Sequence, residues 1–147
     1  MTQDQPSGMP LAFQERIPIS EQQLEHIQRI LSNLSQGLDS LPVVLSQDSE
    51  VIGSAGRADE ALAARIARLA ARIWREGASR PAREFICFEE EVIDEADERI
   101  SLLLYSVHIT GAVTLTIGWQ MSITLTQLRA EAAEARAALR NVLAAHE

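Results

Sequence analysis

Residues 100–107, Ile-Ser-Leu-Leu-Leu-Tyr-Ser-Val, are apolar at nearly every position. A strand of this kind points greasy side chains both ways, so it is stable only when both faces are covered. Shortly after it, Val113, Leu115, Ile117 and Trp119 alternate with Thr114 and Thr116, the period of two that marks a strand. The rest of the chain must therefore supply a layer for each side of a sheet. At 147 residues it has the length of one domain, enough to bury roughly two thirds of its unfolded surface.

Three segments have the helical period needed for those layers. Ser20 and Gln23 have capping-box spacing, and Leu24, Ile27, Ile30, Leu31 and Leu34 follow until Gly37 offers a stop. Residues 58–76 form the clearest helix, with Asp59 and Glu60 in the first turn and Arg72 and Arg75 in the last, matching the helix dipole. Thr124 and Gln127 repeat the capping-box spacing ahead of Leu125, Leu128, Ala132, Ala135, Leu139 and Val142. Between the first two helices, Val43-Val44-Leu45 and Val51-Ile52 flank the turn signal Gln47-Asp48-Ser49, and Gly53 and Gly56 close the second strand. Glu84-Phe85-Ile86-Cys87-Phe88 reads as a further strand that runs into an acidic stretch. Residues 1–18, punctuated by Pro6, Gly8, Pro10 and Pro18, read as a flexible N-terminal tail, leaving 19–147 as the domain. The order is helix, two strands, helix, three strands, helix. Hairpin connections between strands make this an α/β chain of the α+β type, with helices packed on an antiparallel sheet.

The middle helix carries three stripes at 100° per residue. Leu62, Ile66, Leu69 and Ile73 form a large apolar stripe, expected to pack on the sheet. Ala63, Ala67, Ala70 and Trp74 form a second, where small residues would let another helix come close and Trp74 would supply a large contact; alternatively the alanines merely favour helix. Arg65, Arg68, Arg72 and Arg75 form the third, read either as a surface for an anionic partner or as a solvated face. With Phe85, Ile86, Cys87 and Phe88 on an apolar strand, the alanine stripe is the expected interface with another chain.

The remaining chemistry is sparse. A net charge of −8 opposes binding to nucleic acid. No apolar run approaches the roughly 20 residues that span a bilayer, and the N-terminus lacks a signal-peptide pattern, so a cytoplasmic protein without membrane attachment is expected. One cysteine, Cys87, excludes an intramolecular disulfide. His26, His108 and His146 have no metal-ligand spacing, and no phosphate-binding glycine loop is present. The seven acids between Glu89 and Glu98 lack the alternation and central glycine of a calcium loop and read as a solvated hairpin tip. No catalytic residue, metal site or cofactor is expected, and the chain is read as a non-enzyme.

Two stretches resemble the Roadblock family, the group of dynein light chains and bacterial GTPase regulators. One is Val43-Val44-Leu45-Ser46-Gln47-Asp48-Ser49-Glu50-Val51-Ile52-Gly53-Ser54-Ala55-Gly56 leading directly into the helix at 58–76. The other is Gly111-Ala112-Val113-Thr114-Leu115-Thr116-Ile117 leading into Leu125 and Leu128-Arg129. The resemblance spans about residues 20–145. It departs at Ser49, where the family usually has Gly. It implies a profilin-like sandwich, a five-stranded antiparallel sheet with two helices on one face and one on the other. It also implies a homodimer that binds or regulates a small Ras-like GTPase. A structural adaptor indifferent to nucleotide, or a small-molecule sensor of PAS or GAF type, are the competing functions.

Overall fold

The computed structural model describes residues 17–76, 85–93, 97, 99–119 and 122–144. Among the described residues, three helices, α1 (Glu21–Gly37), α2 (Glu60–Glu76) and α3 (Leu125–Ala144), accompany strands β1 (Val43–Gln47), β2 (Glu50–Ala55), β3 (Phe85–Ile93), β4 (Arg99–Thr110) and β5 (Val113–Trp119). The strands form one antiparallel sheet in the order β2-β1-β5-β4-β3, so β5 closes the gap between two hairpins. The fold is α+β.

Local chemistry sets most boundaries. Ser20 Oγ accepts from the Gln23 amide at 3.1 Å while the Gln23 side chain accepts from the Ser20 amide at 2.8 Å, a complete capping box. Asp59 caps α2 by accepting from the Leu62 amide, so that helix starts one residue after Asp59 rather than at 58. At the far end of α1, Gly37 remains helical, and the reversal falls to Asp39 and Ser40, both with positive φ. In the β1–β2 turn Asp48 takes φ 57° and Ser49 does not have positive φ. Positive φ at the first central residue alone is the type II′ pattern, which needs no Gly at Ser49. Gly56 is indispensable for a different reason. It has φ 80°, and a β-carbon there would collide with the Leu41 carbonyl and the Ser35 hydroxyl.

Two expected boundaries shift. Ile17 lies half-buried against the core, and its backbone clamps Gln47, donating to Oε1 and accepting from Nε2. Residues 17 and 18 thus belong with the domain, and 1–16 lie outside the described residues. β3 continues to Ile93, so Glu89, Glu90 and Glu91 are strand residues paired with β4, not a hairpin tip.

The two faces of the sheet differ. One is covered by α1 and α3, with the start of α1 beside the end of α3, where the Gln23 amide nitrogen donates to the Val142 carbonyl. Ile27, Leu31, Leu45, Ile109, Leu115, Ile117, Leu128 and Leu139 are fully buried in that core. The register of β4 against β5 slips between His108 and Thr110, and there Arg136 and Arg140 of α3 donate to the carbonyls of His108 and Ile109. The other face is covered by α2 over a small cluster of Val44, Ala63, Ile66, Ala67 and Leu104.

Candidate partner-binding surface

Helix α2 carries most of the residues singled out from the sequence, and it lies on the sheet differently from the expectation. Ala63, Ala67 and Ala70 are 0–2% exposed within a single chain, so they cannot form a contact between chains. They face the sheet, together with Ile66. The reason is the surface beneath them. Ser46, Ser106, Thr114 and Thr116 project to this side and are buried, so it takes small side chains and brings the helix close. Leu62, Leu69 and Ile73, expected underneath, lie instead along one flank and are only half-buried.

Trp74 is anchored in its own chain as well. Its indole N–H donates to Ser106 Oγ at 2.8 Å, and its ring lies 6.0 Å from that of His108. The residue remains partly exposed.

The four arginines divide into two groups. Arg75 Nη2 lies 2.7 Å from Asp48 Oδ1, so its charge is met by the β1–β2 turn of the same chain. Arg72 lies 4.0 Å from Glu76 one turn along. Arg65 and Arg68 form no ion pair among the described residues. Arg68 is exposed and Arg65 half-exposed on the side of α2 away from the sheet. The arrangement is an outward strip of positive charge bordered by a partly exposed apolar flank, on a chain of net charge −8.

Strand β3 lies at the sheet edge and pairs only with β4 among the described strands. The backbones of Phe85, Ile86 and Phe88 belong to it, while their side chains lie outside the described residues. Cys87 is exposed on this strand. Partial shielding of its sulfur raises the thiol pKa, and the charge of Arg129 draws it partway back. The thiol is thus a poor nucleophile at neutral pH.

A cleft of about 580 Å³ opens at the rim between Ile17, the β4–β5 turn and the end of α3, with Arg140 and Leu143 in its walls. Among the described residues no three His, Cys, Asp or Glu side chains are placed to hold a metal, and no helix is long and apolar enough to cross a membrane.

No family model matches the chain, and no curated protein matches it. Solved structures do. MglB from Myxococcus xanthus superposes with a TM-score of 0.66 at 16% identity, over 86% of this chain and 93% of the other. An MglB structure with a tetrameric arrangement gives 0.64 at 14% identity, over 87% and 94%. The gliding protein MglB from Thermus thermophilus gives 0.57 at 16%, over 87% and 95%. MglB has the Roadblock fold, and this chain shares it. At such identities the likeness is one of fold.

Proposed function

We propose that this chain is a Roadblock-type interaction module, without catalytic groups of its own, that binds and regulates a small Ras-like GTPase as a homodimer. The observation that carries the reading is the outward pair Arg65 and Arg68, without an ion pair among the described residues, on the Roadblock fold shared with MglB. A positive strip on an acidic protein attracts and orients an acidic partner more than it adds affinity. Self-association uses the open edge of β3, supported by the half-buried flank of Leu62, Leu69 and Ile73. An edge strand without a partner invites pairing, and two copies related by a two-fold axis satisfy each other. The module acts in the cytoplasm, away from nucleic acid and membrane.

The immobilised protein, exposed to native-cell lysate with a GTP analogue and then with GDP, is expected to retain a Ras-like GTPase in one nucleotide state. Arg65→Glu/Arg68→Glu removes most of that capture while leaving the fold intact, because exposed substitutions usually shift stability little. Capture unaffected by the nucleotide favours the structural adaptor. Capture unaffected by the double substitution removes α2 from the contact. Light scattering at micromolar concentration tests the dimer, and a monomer there overturns it.

A further inference from the structure

We infer that α2 is a latched helix, able to lift from the sheet as a unit while the α1/α3 face stays closed. The inference does not depend on what the protein binds. Three observations carry it.

The first is how little apolar surface holds α2 down. Its buried side chains are Ala63, Ile66, Ala67, Ala70 and Ala71, with Ile66 the one large residue among them, and Leu62 and Leu69 pack at the flank only partly buried. The second is the chemistry of the sheet beneath, where buried hydroxyls accompany Val44 and Leu104, the sheet's apolar side chains in this small cluster. Ser46 and Thr114 hydroxyls lie 3.3 Å apart and those of Ser106 and Thr116 2.9 Å apart, each pair bonded across neighbouring strands. These hydroxyls satisfy one another within the sheet, so departure of the helix orphans none of them, and wetting them costs far less than wetting an isoleucine. The third is where the polar ties sit. Trp74 Nε1 to Ser106 Oγ and Arg75 to Asp48 both fasten the last turns of α2. Elements with few buried apolar contacts open locally without unfolding the rest.

The latch ends beside a pin for the opposite layer. His108, whose ring neighbours Trp74, accepts through its carbonyl from Arg136 of α3. Trp74 therefore reports the state of the latch, while α3 stays tied to β4 independently of it.

Hydrogen–deuterium exchange of the full chain tests this, measured at two protein concentrations a hundredfold apart to separate shielding by self-association from protection by the chain's own sheet. Amides of α2 are expected to exchange about tenfold faster than those of α1 and α3, at least in the dilute sample. Ser106→Ala removes the acceptor for the indole and speeds exchange of α2 several-fold further, with α1 and α3 unchanged. Trp74→Phe keeps the ring, loses only the N–H, and is expected to act the same way. Protection of α2 equal to that of α1 and α3 at both concentrations overturns the inference. So does acceleration of all three helices alike in both variants, which would mean one cooperative unit.

Discussion

The two faces of the sheet solve the same packing problem with opposite materials. On the α1/α3 side, long branched side chains interlock, with Ile27, Leu31, Leu115 and Leu128 at 0% exposure. On the α2 side, alanines and the single buried Ile66 rest on a surface of hydroxyls around Val44 and Leu104. Dispersion and hydrophobic burial both scale with the atoms buried, so the first face carries most of the stability. The second face places the charged strip of α2 over a weakly adhesive support. A molecule built this way keeps its fold in one layer and its adaptability in the other.

The comparison is most severely tested in the large core. Leu31→Ala should cost about 2–5 kcal/mol, read as a lower denaturant midpoint at unchanged slope. A smaller loss than an equivalent change under α2 would reverse the assignment of the two faces. Ala67→Leu comes next. At 0% exposure it forces extra volume between helix and hydroxyl row, for about 1–3 kcal/mol. Alanine stripes at a chain–chain contact would instead show the effect in the dimer equilibrium alone. Ser20→Ala removes half of the α1 capping box and should cost about 1 kcal/mol in chemical denaturation, felt globally because α1 belongs to the main core. The smallest effect belongs to Arg75 and Asp48. Both side chains are nearly half-exposed, so a double-mutant cycle should give a coupling of about 0–1 kcal/mol, confined to α2 exchange.

Much of this architecture was legible in the chain because local chemistry dictates it. The pairing of Ser20 with Gln23, the two-residue alternation after Val113 and the positive φ that favours glycine at 56 each leave a local mark. What stayed hidden was relational. The middle helix has two adjacent apolar stripes, and nothing in its own sequence says which one faces inward. The answer lies in Ser46, Ser106, Thr114 and Thr116, which make the opposing surface polar and shallow. Small residues fit it, and Leu62 and Leu69 are displaced to the flank. The same limit applies to β3. Three consecutive glutamates look like a loop, yet their backbones pair with β4 along an edge strand, and the exposed Glu89 accepts from Ser101 across the ladder at 2.6 Å. Arg75 belongs by helical period to the arginine stripe, and its acid, Asp48, lies 27 residues away, beyond the reach of any local pattern.

The position of β5 has a bearing on how the protein is made. It is the last of the described strands and a central one in the sheet, with Leu115 paired to Leu45 on one side and to Val107 on the other. As the ribosome delivers the chain, β1–β2 and β3–β4 emerge as two hairpins with no strand to join them. Their inner edges and apolar faces stay open until residues 113–119 leave the exit tunnel, followed by α3. The sheet is thus completed late, through contacts spanning roughly seventy residues, a topology that folds slowly. A nascent chain stalled before Val113 would present two unsatisfied edges at once, the condition under which chaperones intercept a polypeptide.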